Sequence, residues 1–459
     1  MKRILSLTAT LCLSVYIIAC NSILDVQPQL TASYDQALNS TRGLNNAVNG
    51  AYSLFIDGSF AGGNSGMIGE VLADHANFQG SDAFGFGQMV VRQMELVNTV
   101  GRSTWENGYS VINRANLVID AIDAGKIQDI TFAANRDRIR GEALFVRAFS
   151  HFDLVRLFAA PWGFTADNSH PGIPYRTVGT QGPQNAKTVR GPLAQVYTRI
   201  VEDLQAAVPL LPEVAPKGKP SRWAARALLA RVYLQQERYA EAFTEADAVI
   251  RGPFSLTDSV RSVWFTPNTN EAIYELPSER DLQDGAGGYR GLLSAELGGG
   301  AAAIAISTDL QRLFEASQND RRRTSLFAVS IGRIYTTRFD ELWTNFPILR
   351  VAEMYLIRAE AGFRTNRPVE QIRADINQTR VRAGLSAAAL QSLSGDALFR
   401  ALQTERALEL ALQGHRLHDL RRWRLPVANG SLPGATVLPW NDGRLVVPRP
   451  DREVSVNPE

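Results

Sequence analysis

Residues 221–250 read SRWAARALLARVYLQQERYAEAFTEADAVI, and this stretch decides how the chain folds. Its apolar residues recur at three- and four-residue spacing, the period of one face of an α-helix. The pattern breaks at Gln236-Glu237-Arg238 and resumes at Tyr239. That predicts two antiparallel helices joined by a tight turn. Leu229, Ala230 and Tyr233 precede Ala242 at offsets that put small residues where the helices meet, so the two backbones approach closely.

The same period extends outward. Leu44–Phe55 is predicted to face Trp105–Ile122, Arg136–Phe158 to face Gly191–Leu211, and Ile348–Arg364 to face Val369–Arg382. Pro161, Pro209, Pro212, Pro253 and Pro368 fall at the edges of these stretches, where proline is tolerated. The expected fold is mainly α: a tetratricopeptide-like scaffold of four helix pairs, with helical stretches at about 41–56, 102–122, 135–158, 190–211, 221–250 and 348–383. Two long segments, 57–101 and 252–347, break the pattern. The first is rich in Gly and Phe, the second in Gly and short β-like runs, and both read as irregular insertions. Gly285-Ala286-Gly287-Gly288 and Gly298-Gly299-Gly300 are loop signals. A C-terminal segment, 400–459, turns polar and Pro-rich from Pro426. Function usually sits on such insertions.

The N-terminus has its own pattern. Lys2 and Arg3 precede an uncharged apolar run, Ile4 to Ile18, then Ala19 and Cys20. The run is too short for a membrane span. A small residue directly before Cys is where bacterial lipoprotein precursors are cut and acylated. Residues 1–19 are therefore expected to be a signal peptide, 20–40 a tether lipidated at Cys20, and 41–459 one domain. Cys12 and Cys20 are the two cysteines, so the mature chain would keep one thiol and form no internal disulfide. The 459 residues are 45% apolar, ample for a core, and the net charge of +2 implies no strongly charged partner. No basic face with interleaved aromatics suggests nucleic acid. Arg321-Arg322-Arg323, after Asn319-Asp320, reads as a solvated turn.

Several motifs in shared order resemble the SusD/RagB family of outer-membrane nutrient-binding lipoproteins. Trp105, Tyr109, Ile112 and Ala115-Asn116 resemble its W-x3-Y-x2-I-x2-AN helix. Arg140 to Ala148, with Leu154-Val155 and Phe158, resemble its R-x-EA-x-F-x-RA…LV-x2-F signature. Ser221 to Leu234 resembles its third repeat, Leu349 to Ala361 its LR-x-AE-x-YL-x-RAEA helix, and Ile376-Asn377, Arg380 and Arg382 to Leu385 the turn that follows. Glu405-Arg406, Glu409-Leu410, Gly414, Arg416, Asp419-Leu420 and Arg422-Trp423 resemble its C-terminal motif, and Val447-Pro448 and Val456-Asn457-Pro458 its closing segment. The resemblance implies a non-catalytic binding protein that captures glycan, or in some branches peptide. It would sit at the outer membrane, facing outward, as the lid of a SusC-class TonB-dependent transporter. No cofactor or metal is implied. Only Asp25 is acidic close after Cys20, which leaves outward or inward facing open.

Sugar recognition needs flat aromatic faces rimmed by hydrogen-bonding groups. Trp105, Trp223 and Trp423 fall in framework motifs and are expected to pack. Trp343, Tyr289, Phe84 and Phe86 in the insertions are the candidate platforms, with Asp82 and Asn345 as polar neighbours. The charged motif residues are expected to pair within their helices: Glu405, Arg406, Glu409 and Arg416 between turns, Glu142 with Arg147, Arg350 with Glu353. His415, His418 and Asp419 lack a further metal ligand nearby in sequence, and Gly85-Phe86-Gly87 lacks the context of a dinucleotide loop. Two other classes stay open. One is a periplasmic glycoside hydrolase using carboxylates such as Glu70, Asp74 and Asp82. The other is a helical-repeat envelope-assembly lipoprotein binding protein partners only.

Overall fold

The computed structural model describes residues 37–80, 82–125, 127, 129–182, 187–278, 287–296, 303–341 and 345–458. The expected signal peptide, Cys20, Trp343, Gly285-Ala286 and Gly298-Gly299-Gly300 lie outside the described residues. Among those described the chain is mainly helical, with α1 (Thr41–Phe55), α2 (Asn64–Val71), α3 (Phe86–Val90), α4 (Thr99–Asp123), α5 (Phe132–Phe158), α6 (Leu193–Leu210), α7 (Arg222–Gln235), α8 (Tyr239–Ile250), α9 (Ser262–Phe265), α10 (Gly287–Leu293), α11 (Thr308–Ala316), α12 (Arg321–Ser325), α13 (Val351–Arg364), α14 (Val369–Arg382), α15 (Gly395–Glu409), α16 (Arg416–Arg422) and α17 (Asp451–Val456).

Helices α1 and α4, α5 and α6, α7 and α8, and α13 and α14 pack as pairs. Each pair also rests on the next, through α4 on α5, α6 on α7 and α8 on α13. The result is a stacked helical-repeat scaffold. Local chemistry sets the helix starts. The side chains of Ser40, Asn98 and Ser221 accept hydrogen bonds from the backbone N–H of Gly43, Gly101 and Ala224 respectively. Pro192 and Pro368 precede α6 and α14. Helix α5 is buried around its whole circumference from Gly141 to Val155, which is why its apolar residues do not confine themselves to one stripe.

The insertions are not simply irregular. Segment 57–98 contains α2 and α3, and segment 252–347 contains α9 to α12. Neither set was expected, because runs of four to nine residues carry little helical signal of their own. Tertiary contacts hold them. A Cβ on Gly66 of α2 would lie 2.4 Å from the Tyr289 hydroxyl, so this glycine serves close approach rather than flexibility. Among the described residues the strands form three antiparallel pairs. β1 (Ala76–Phe78) pairs with β3 (Ile304–Ile306), joining the two insertions. β2 (Ala272–Leu276) pairs with β6 (Phe346–Arg350), closing the second insertion at its neck. β4 (Phe327–Ser330) and β5 (Arg333–Thr336) form a hairpin.

The charged motif residues mostly do not pair within their helices. Arg350 reaches Glu271 at 2.6 Å and Glu409 at 3.0 Å, while Glu353 pairs with Arg231 at 2.6 Å. Glu405 pairs with Arg322 at 2.6 Å, Arg406 with Asp419 at 3.0 Å, and Arg416 with Asp74 at 2.6 Å. Glu142 does make one within-helix pair, but with Arg138, and Arg147 forks onto Asp203 instead. Arg322, expected on a solvated turn, is buried between Asp320, Glu405 and Glu409. The reason is burial. Helices covered on several sides turn their charges toward neighbouring elements, where each ion must find a partner.

Candidate ligand-binding surfaces

Asp82 organises the loop before α3. Its Oδ1 accepts hydrogen bonds from the backbone N–H of Phe84 at 3.0 Å and Gly85 at 2.9 Å, and its Oδ2 from that of Phe86 at 3.0 Å. The Phe84 carbonyl accepts from the Thr99 N–H at 2.7 Å, fastening the turn to the start of α4. Such closure leaves the Phe84 ring 62% exposed on a braced backbone. Phe86, two residues on, is buried against Phe78 with centroids 5.7 Å apart. Asp82 therefore positions the turn, Phe84 faces outward, and Phe86 anchors it.

Tyr289 is 2% exposed. Its ring stacks on Phe339 at 5.2 Å and lies 4.4 Å from Phe346, and its hydroxyl donates to the Ala61 carbonyl at 3.3 Å. Burial pushes its pKa well up. It fastens α10 to the first insertion. Asn345, also 2% exposed, donates from Nδ2 to Glu275 Oε2 at 2.7 Å and accepts from the Ser278 N–H at 3.2 Å. These bonds sit at the neck formed by β2 and β6. The structure thus brings Asp82, Phe84 and Phe86 together on one turn, and places Tyr289 and Asn345 in separate buried settings.

The remaining carboxylates are committed elsewhere. Glu70 Oε1 accepts from the backbone N–H of Gly414 at 2.9 Å and His415 at 3.1 Å. Asp74 forks onto Arg416 at 2.6 and 2.8 Å; burial opposes its charge, but the guanidinium overcomes this and holds its pKa down. Glu70, Asp74 and Asp82 are therefore each engaged in bonds that hold structure. His415 and His418 are buried, and burial with the surrounding guanidinium groups keeps both neutral. Among the described residues no group of three or more His, Cys, Asp or Glu is placed to hold a metal ion.

One large cavity went unnoticed in the sequence. It encloses about 950 Å³ between α1 and α4, with Trp105, Tyr109, Asn113, Arg114 and Arg176 among its walls. Trp105 packs on Phe158 at 4.9 Å, and Tyr109 donates to the Pro174 carbonyl at 2.7 Å. The signal was the four-residue spacing of Trp105, Tyr109 and Asn113 along one helix face.

Comparison with known proteins is consistent across the chain. Residues 23–234 match a family model described as SusD-like, "starch-binding associating with outer membrane", and residues 334–442 match the SusD family model. SusD-like protein P2 of Formosa agariphila is 25% identical over 471 residues, covering 89% of this chain and 88% of that protein. SusD-like protein P25 of the same organism is 24% identical, covering 96% and 94%. A crystal structure of a SusD superfamily protein from Bacteroides thetaiotaomicron superposes with a TM-score of 0.81 at 25% identity, covering 93% of this chain and 98% of that one. Among the described residues no helix is long and apolar enough to cross a membrane.

Proposed function

This chain belongs to the SusD family, and on that premise we propose that it is a non-catalytic nutrient-binding lipoprotein. It captures an oligosaccharide, or in the alternative a peptide, at the outer membrane. It is anchored through Cys20, faces the cell surface, and delivers its ligand to a SusC-class TonB-dependent transporter as the transporter's lid. The observation that carries the reading is the match of residues 23–234 to a family described as starch-binding and outer-membrane associated. The geometry supports it from two sides. Phe84 offers an exposed ring on a turn braced by Asp82, and a rigid aromatic face is what the apolar side of a pyranose needs. The acidic residues best suited to hydrolysis are tied up in structural bonds.

In this assignment Phe84 and Trp343 touch the ligand, Asp82 and Phe86 hold the first turn in place, and Tyr289 and Asn345 stiffen the second insertion behind it. The test is calorimetric titration of a glycan and peptide panel into the full chain. Phe84→Ala should weaken glycan binding by about 5- to 30-fold, equivalent to roughly 1–2 kcal/mol, with the melting temperature preserved. Peptide binding without glycan binding would move the chain to the alternative ligand class. Unchanged glycan affinity in a stable Phe84→Ala variant would move the site away from this turn.

A further inference from the structure

The cavity between α1 and α4 shares no lining residue with the Phe84 turn, and its volume of about 950 Å³ falls near the upper end of the range of about 300–1,000 Å³ over which small-molecule sites are found. One wall is fastened in place. Asn113 donates from Nδ2 to the Thr180 carbonyl at 3.0 Å and accepts from the Thr180 N–H at 2.7 Å, and Tyr109 donates to the Pro174 carbonyl. These bonds tie residues 174–180 to α4. Arg114 is different. It lines the cavity, is exposed, and has no hydrogen-bond or ion-pair partner among the described residues. Gly50 of α1 leaves room for it, since a Cβ there would lie 2.5 Å from Arg114 Nη1. Asn46 is four residues before Gly50 and so lies on the same face of α1. It too lines the cavity, is exposed, and has a side chain without a partner among the described residues.

The charges on the lining limit what fits. A guanidinium presents a planar fork that takes a carboxylate through two parallel hydrogen bonds, and the Asn46 amide, one turn of α1 from Gly50, can donate a third. Glu106 lines the cavity eight residues before Arg114 on α4, about 12 Å away along the helix axis. Its contact with Arg452, at 3.6 Å, joins two exposed side chains and holds it weakly. Glu453, the neighbour of Arg452, lines the cavity as well. The lining is therefore acidic toward Glu106 and basic toward Arg114, with Ala47, Leu54 and Tyr109 as apolar surface. A neutral sugar leaves both charged ends unused. A zwitterion about 12 Å long uses both, and an extended chain covers that span in about four residues at roughly 3.3–3.6 Å each. We propose that this cavity binds a short peptide of about four residues, its free carboxylate on Arg114 and Asn46 and its amino terminus at Glu106 and Glu453. This goes beyond glycan capture at the Phe84 turn and does not depend on it.

The test titrates the full chain with the tetrapeptides AVVA, AYVA and GSVA by calorimetry. Each is used in three forms: free at both ends, amidated at the C-terminus, and acetylated at the N-terminus. At least one free form should bind, and amidation should weaken it by about tenfold, the loss of a charge-assisted bond. Arg114→Gln should weaken the free form by a similar factor and leave the amidated form unchanged. Glu106→Gln should weaken the free form and leave the acetylated form unchanged. Both side chains are exposed, so both variants should melt with the parent. Failure of every free tetrapeptide to bind overturns the proposal, as does equal affinity for free and amidated forms, or an affinity untouched by Arg114→Gln. The glycan panel is run on the same samples. Glycan binding retained in Arg114→Gln is the expected result, and its loss together with peptide binding would mean one shared site and overturn the separation proposed here. Peptide binding that depends on Arg114 in a chain that binds no glycan would leave this site standing while the glycan reading fails.

Discussion

His151 carries its ring proton on Nδ1. That nitrogen lies 2.9 Å from the Arg147 carbonyl, which can only accept, and Nε2 lies 3.1 Å from the Arg176 backbone N–H, which can only donate. The ring is buried and stacked on Tyr175 at 3.8 Å, and burial lowers its pKa to about 3, with Arg147 and Arg176 adding to the effect. The folded chain thus resists a proton that the unfolded chain accepts near pH 6.5. A depressed folded pKa means the contribution is complete above pH 6.5 and is lost as pH falls from there toward about 3. His415 and His418 shift the same way. Stability measured by urea unfolding should be level from pH 8 to 7, then fall, with His151 alone removing roughly 2 kcal/mol by pH 5 and His415 and His418 acting in the same direction. His151→Gln should lower stability at pH 7 but give a shallower decline below pH 6.5; an unchanged slope would show that His151 is not held neutral. None of this depth was legible in the sequence. Residue type identifies a group that can be charged, and burial depends on partners as distant as His151 and Arg176, or Arg350 and Glu271.

At the scale of elements, what could be read depended on whether an element specifies itself. The four helix pairs were legible because their period and length are local properties, and the break at Gln236 to Arg238 falls between α7 and α8 as expected, with Glu237 taking a positive φ of 58°. Helix α2 was not legible, because its glycines are chosen for neighbours. Gly66 meets Tyr289, and a Cβ on Gly414, at φ +80°, would lie 2.8 Å from the Gly66 Cα. The candidate site divided the same way. The aromatics could be picked out, but only the Asp82 bonds decide that Phe84 points out while Phe86 points in. Ala230 tests the repeat register. It is fully buried in α7, the helix between α6 and α8. Ala230→Trp should destabilise by roughly 1–3 kcal/mol or more through overpacking. A melting temperature equal to the parent's would show that the helices have room at this position and that the register is wrong.

For the whole molecule, the scaffold and the insertions divide the work. The second insertion leaves after α8 and returns before α13, yet α8 still packs directly on α13. The β2–β6 neck and the ion pairs of Arg350 with Glu271 and Glu409 clamp the point of departure. Loops beyond that neck can change without unstacking the helices, which suits a body that presents variable ligand surfaces. Under the proposed function this body is held at the membrane, and among the described residues no helix is long and apolar enough to span one. The proposed attachment is a lipid on Cys20. A single acyl chain binds membranes weakly and reversibly, so durable attachment needs the several chains of a bacterial lipoprotein. Cys20→Ser should therefore yield a chain that folds with the parent's melting temperature but no longer sediments with membranes or incorporates a fatty-acid probe. Labelling that persists in Cys20→Ser, or membrane association unchanged without labelling, would mean that something other than this cysteine holds the protein at the envelope.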